Sequence, residues 1–264
     1  MFLINSFTIV VLFLLSLAIP VTSFILPVYK IRKMRRLTFK SKILANIIAM
    51  IVIGAISYKL LILYLIFFIL IEVLYHYFDK INPAVEKFDR IVIISIAVTI
   101  LMGAFTYLVR DDLQAGMNLI GEFYTEYLEL NPVEVKAIFT SLKENILFYI
   151  FDYSMLCVFF LYVCVDLINY QKWKISFGWL LLYIVPFFIA HIFDISNFYT
   201  LNILKIGELI FTFYGIKTVY SFLTKYIKFK FLNNFVAFAL AIQFPFLMFI
   251  IGVLGGFFTK KNIK

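Results

Sequence analysis

The chain has 264 residues, of which 64% are hydrophobic and 15% charged, and its mean hydropathy is +1.02. A soluble domain carries roughly 45–50% apolar and about 25% charged residues, so a water-soluble globular protein is excluded. The net charge of +9 would suggest nucleic acid in a soluble chain. Here the excess Lys and Arg sit in short segments between apolar runs, where topology and anionic lipid head groups account for them. Nucleic-acid binding is rejected, and the bilayer is the expected partner.

Residues 30–42 set the orientation. They carry Lys30, Arg32, Lys33, Arg35, Arg36, Lys40 and Lys42 without an acidic residue. Basic clusters between membrane-length runs stay on the cytoplasmic side during insertion. A helix needs about 20 residues to cross some 30 Å of hydrocarbon. The first run, 2–29, has no basic region ahead of it and reads as a membrane segment rather than a cleaved signal. It breaks near Pro20, leaving 21–29 as an irregular or re-entrant extension. Segments 43–58 and 60–78 follow as a tight pair, with Lys59 snorkelling at the outer surface.

The loop 79–90 contains the turn signal Asn82-Pro83 and returns the chain to the cytoplasmic side. Segment 91–109 then leads outward to 110–144, a long, mostly acidic outer loop (Asp111, Asp112, Glu122, Glu126, Glu129, Glu134 and Glu144). Inside it, Asn131-Pro132-Val133-Glu134 predicts a helix start, with Val135, Ile138, Phe139 and Leu142 at helical spacing. Segments 146–170, 177–193 and 203–223 alternate onward. Lys172 and Lys174, then Lys225, Lys228 and Lys230, mark inner turns. A single last crossing over 231–258 would leave Lys260, Lys261 and Lys264 outside, against the charge rule. The alternative is a hairpin at Pro245 and the Gly252, Gly255, Gly256 cluster. We expect the single crossing. The fold class is therefore all-α: one integral membrane domain over 1–264, about eight segments, and a short amphipathic helix in the outer loop.

Charged side chains inside a membrane segment cost about 2.5–3.5 kcal/mol each on insertion scales, so each one needs a reason. They fall into two layers. Glu72, His76, Asp166 and Lys217 lie toward the inner side. Glu72 and His76 share a face at four residues' spacing, and Lys217 is expected to pair with Asp166 or Glu72. Asp152, His191, Asp194 and Glu208 lie toward the outer side with Asn197 and Asn202. They are the candidate substrate-binding residues, gathered at a polar mouth beneath the acidic loop. The bland reading is that such residues are solvated near helix ends, with Lys205 neutralising Glu208.

Cys157 and Cys164, seven residues apart in one helix, read as free buried thiols. No metal-ligand spacing, Walker A motif, His-Glu-x-x-His or Gly-x-Ser-x-Gly sequence occurs, so neither a metal, a cofactor nor an enzymatic activity is expected. Ala45 with Ala49, and Gly252 with Gly256, are small-residue pairs that permit close helix packing.

In the second half, Asn169-Tyr170, the turn Lys172-Trp173-Lys174-Ile175, Phe213-Tyr214-Gly215-Ile216 and Ile251-Gly252-Val253-Leu254 before a basic tail resemble the YybS-like family. These are multi-pass bacterial membrane proteins distantly similar to the substrate-binding components of energy-coupling factor transporters. The usual proline after the basic Trp turn is replaced by Ser176, and Ala45–Ala49 lies on the second segment rather than the first. The resemblance implies an inner-membrane bundle that captures a small solute in its outer half, with transmembrane and ATPase partners on separate chains. It would do so through an outward cavity lined by Asp152, His191 and Glu208. The alternative is a non-enzymatic scaffold for envelope or division machinery, with Gly252 and Gly256 facing lipid to recruit a partner.

Overall fold

The computed structural model describes residues 2–127 and 131–260. Glu129, Lys261 and Lys264 lie outside the described residues. Within them the chain is all helical. An apolar sequence in lipid must satisfy every backbone group internally, and a helix does so within one segment.

Helix α1 (Phe2–Ala18) ends before Pro20, whose ring cannot donate to the helix behind it. The chain does not wander after that break. Residues 20–36 form consecutive helical turns, Pro20–Phe24, α2 (Ile25–Val28), Tyr29–Lys33 and Met34–Arg36, which run back beside α1. The Tyr29 hydroxyl accordingly donates to Asn5 Oδ1 at 2.7 Å. Helix α3 (Phe39–Ile56) starts at Thr38, whose Oγ1 accepts from the Ser41 N–H. Its buried residues are Ala45, Ala49 and Ile53, and α1 is its chief neighbour. A sharp turn at Ser57 leads to α4 (Tyr58–Tyr64), a wide helical turn over Leu65–Ile69, and α5 (Leu70–Lys80).

Helix α6 (Lys87–Leu108) passes with little break into α7 (Arg110–Tyr127), and α8 (Pro132–Glu144) packs back on α7. The expected start of α8 is present: Asn131 Oδ1 accepts from the Val133 N–H and Pro132 occupies the first position. What sequence reading left as loop before it is the 18-residue α7. Helix α9 (Ile146–Asp166) descends beside α6 and residues 20–36. Tyr153 bonds Ser23 near one end, and Arg32 donates to the Cys164 carbonyl at 3.4 Å near the other. Cys157 and Cys164 are free, as expected. Helices α10 (Leu181–Ile192) and α11 (Phe198–Leu223) form an antiparallel pair.

Two expectations are corrected. By length and composition, four helical stretches among the described residues can span a membrane (Phe39–Ile56, Tyr58–Lys80, Lys87–Leu108, Ile146–Lys172), or five if one bent pair counts as a span. Eight is not reached. Helix α1 is 17 residues and Phe177–Ile192 is short. The 26-residue α11 carries Lys205, Glu208 and Lys217, and twelve of its residues are buried against its neighbours. The run 231–258 is also not one straight crossing but a bent pair of helices. Helices α12 (Lys230–Gln243) and α13 (Pro245–Lys260) meet at 118°. Phe257 lies against Phe177, while Phe249 lies against Tyr183 further along α10. Thus α13 returns to the end from which α12 set out.

That return is made by glycine. A Cβ at Gly252 would collide with the Phe211 carbonyl, and one at Gly215 with the Met248 carbonyl. The backbones of α11 and α13 therefore touch directly, as small residues allow in lipid, where dispersion rather than water expulsion joins helices. Gly252 and Gly256 are buried in this seam rather than facing outward.

The bundle has two unlike ends. Residues 30–42, 79–90, 167–177 and 225–230 meet at one, the basic end. The turn at Ser57 and the α7–α8 pair stand at the other, the capped end, where Lys59 and Asp112 are 2.5 Å apart.

Candidate functional site

Of the outer-layer candidates, Asp152 is half-buried on α9, and His191 is exposed at the end of α10. The imidazole stacks on Phe187 at 4.2 Å, with Nδ1 2.9 Å from the Phe187 carbonyl of its own helix. Asp194 is exposed with φ of 53°. It turns the chain out of α10 in a left-handed conformation that Asp tolerates better than most residues. Glu208 is half-buried on α11. Lys205 does not close an ion pair with it; it donates instead to Asn145 Oδ1 at 2.6 Å. The asparagines serve helix ends. Asn197 caps α11, and the fully buried Asn202 accepts from the Phe148 N–H and donates to the Glu144 and Phe198 carbonyls. The four substrate-binding candidates thus sit on three separate elements, and none lines the cavities described below.

The two inner-layer carboxylates are paired, with partners other than those expected. Glu72 binds Lys30 at 2.7 Å, and the Lys30 side chain is wholly buried. Lys30 also donates to the Tyr64 hydroxyl at 3.1 Å, which in turn donates to Asn46 Oδ1 at 3.3 Å. Asp166 pairs with Lys87 and accepts from Asn169 and from the Trp173 indole N–H. Lys217 therefore meets neither carboxylate. It is 5% exposed, lies over the Tyr214 ring at 5.1 Å, and has no ion pair among the described residues. His76 stands one turn beyond Glu72, and its Nδ1 is buried without a hydrogen-bond partner.

Sequence reading missed Lys30, Lys87, Asp89 and Arg90 by placing them in loops. Asp89 is buried in the first turn of α6 and accepts from the Ser176 N–H (2.8 Å), the Ser176 hydroxyl and the Trp179 indole N–H (3.0 Å). Arg90 donates to the Val85 and Pro83 carbonyls, closing the turn behind it. A proline at 176 has no N–H to give Asp89, so the serine there, with Trp179, joins α6 to the segment that leads into α10. The signal was available. No turn residue separates Lys87–Arg90 from the apolar run after it, nor Lys30 from the apolar run before it.

One cavity toward the capped end is built from other residues. This 370 Å³ cavity is lined by Phe13, Ser16, Ser23, Phe67, Phe68 and Tyr153, among others, including Met102 and Tyr149. Met102 is six residues from the end of α6 and Tyr149 three residues into α9, so the cavity belongs to the capped half of the bundle. Phe13 packs edge-on to Phe68, and Phe67 lies 5.4 Å from Tyr153. The hydroxyls of Ser16, Ser23 and Tyr153 are already engaged with the protein. Ser16 and Ser23 bond the Phe13 and Pro20 carbonyls, and Tyr153 bonds Ser23 at 2.6 Å. Such walls accept an apolar or aromatic body and hold no free charge to receive an ionic one. Among the described residues no cluster of His, Cys, Asp and Glu could hold a metal. Compared with known proteins, this chain matches no protein-family model, no curated protein and no solved structure.

Proposed function

We propose that the protein is a non-enzymatic, multi-pass component of a bacterial inner membrane that binds a small, uncharged, largely apolar solute for uptake. The observation that carries this reading is the 370 Å³ aromatic cavity in the capped half of the bundle. Its volume lies within the roughly 300–1,000 Å³ of small-molecule pockets. The site moves from the polar residues Asp152, His191, Asp194 and Glu208 to Phe13, Phe67, Phe68 and Tyr153. The resemblance to substrate-binding components of energy-coupling factor transporters agrees with a ligand in that half, and energy would come from separate chains.

The basic end faces the cytoplasm in this reading. The return of α13 supports that orientation, because it brings the start of the lysine-rich tail to the same end as residues 30–42 and removes the conflict with the charge rule.

The test is affinity selection. The full-length protein in nanodiscs is incubated with a library of uncharged aromatic and aliphatic compounds, and bound molecules are read by mass spectrometry against a Met102→Trp variant that fills the cavity. Compounds retained by the parent and lost from a variant of unchanged melting temperature support the reading. Identical retention by both proteins sinks it.

A scaffold remains the second reading, and one feature favours it. Helix α7 buries none of its residues, and Leu119, Phe123, Val133 and Ile138 are more than half exposed, a surface suited to a membrane partner.

A further inference from the structure

Helices α3 and α5 belong to one hairpin, closed at Ser57 and splayed toward the basic end. The space between them is a lateral cleft of 540 Å³. One wall is a single face of α3, Phe39, Ile43, Ile47 and Met50 with Lys42 and Asn46. The other is a single face of α5, with Val73, Tyr77 and Ile81 beside Glu72, His76 and Lys80. Helix α3 and the continuous stretch Tyr58–Lys80 that ends in α5 are each long and apolar enough to span a membrane, so the cleft is open to hydrocarbon and cannot stand empty there. From Lys42 to Met50 it runs about 12 Å along α3, with the apolar residues deep and the two lysines at its basic end.

The charge count names the occupant. Glu72 is neutralised from behind by Lys30. Neither Lys42 nor Lys80 has an ion pair among the described residues, and the nearby carboxylate of Asp79 closes none with them. Two unmatched cations thus flank the cleft mouth, and His76, whose Nδ1 is buried without a protein partner, lines the same space. Basic pockets between membrane helices on the cytoplasmic side bind anionic head groups.

We infer that this cleft holds one anionic phospholipid, its phosphate between Lys42 and Lys80 and one acyl chain along Ile43, Ile47, Ile69 and Val73. The lipid completes a hairpin that the protein leaves open. It is separate from the solute cavity, which lies on the other side of α4 against α1, α6 and α9, so the two sites succeed or fail independently.

The experiment uses the full-length protein delipidated in a neutral detergent and titrated with mixed micelles of phosphatidylglycerol or phosphatidylcholine, with bound lipid counted by native mass spectrometry. Phosphatidylglycerol is expected to saturate at one molecule and to be preferred by about tenfold or more. Replacing Lys42→Gln and Lys80→Gln together lowers its retention by about 30-fold, the effect of two lysines near a lipid surface. Lys225→Gln with Lys228→Gln, also at the basic end but outside the cleft, leaves retention unchanged. Ile47→Trp, which obstructs the acyl path and keeps both charges, also lowers retention. Equal retention of the two lipids, equal loss in the two lysine variants, or displacement of the lipid by glycerol phosphate alone would overturn the inference.

Discussion

The seam between α11 and α13 and the pair α7–α8 are both two-helix contacts of one chain, built by opposite rules. In the seam, glycines bring backbone onto backbone, so that Gly215 and Gly252 admit no Cβ. In the cap, Gly121 has only the ring of Phe139 and the side chain of Val135 near it, and Gly116 has nothing within 4 Å. The seam is apolar and shielded; the cap is charged, wet, and held by end-capping and surface pairs. Where lipid removes the hydrophobic drive between helices, close fit replaces it. Where water returns, local helix chemistry suffices. The seam thus has no room for a side chain at Gly215 or Gly252, while the cap has room for one at Gly116.

The largest effect should come from the buried ion pair, which shares the interior's intolerance. Glu72→Gln or Lys30→Met leaves one partner buried and unmatched, at a cost of about 3–5 kcal/mol. Unfolding in detergent should show that loss, and the double change Lys30→Met with Glu72→Met should recover most of it. If the singles cost nothing, the interior is not organised by this pair.

Next comes the glycine contrast. Gly252→Ala drives a methyl group into the Phe211 carbonyl and should destabilise by about 1–3 kcal/mol through overpacking. The same substitution at Gly116, in an open helical position, should stabilise the cap by up to about 1 kcal/mol through helix propensity. Same-sign effects on thermal unfolding would mean that seam and cap pack by one rule.

Smaller still, Asn131→Ala removes the cap of α8 at about 1 kcal/mol. Amide exchange should rise over Pro132–Glu144 and stay constant in α11. The smallest effect is expected at Lys59→Met, which removes the Lys59–Asp112 contact between two exposed side chains. Exposed pairs of this kind contribute little, so the melting temperature should not move. A clear fall would make Lys59 a tether for the cap rather than a surface charge.

Much of this architecture could be read from residues alone, because bilayer physics is local. The apolar runs of α3, α4–α5, α6 and α9, the basic connections and the Asn131-Pro132 helix start each follow from composition over a few residues. They reappear within a few positions of where they were expected. The free thiols of Cys157 and Cys164 follow likewise from helical spacing. What tertiary structure alone decided is which charges meet. Lys30 and Glu72 are 42 residues apart, and Lys87 and Asp166 are 79 apart. Nothing in the local pattern around Lys217 says that both of its expected partners are already taken. The fold-back of α13 was likewise undecidable from hydropathy, since a crossing and a hairpin need the same apolar run. Only the approach of Gly252 to the backbone of α11 selects between them, because a contact between distant segments depends on shape in three dimensions and not on sequence order.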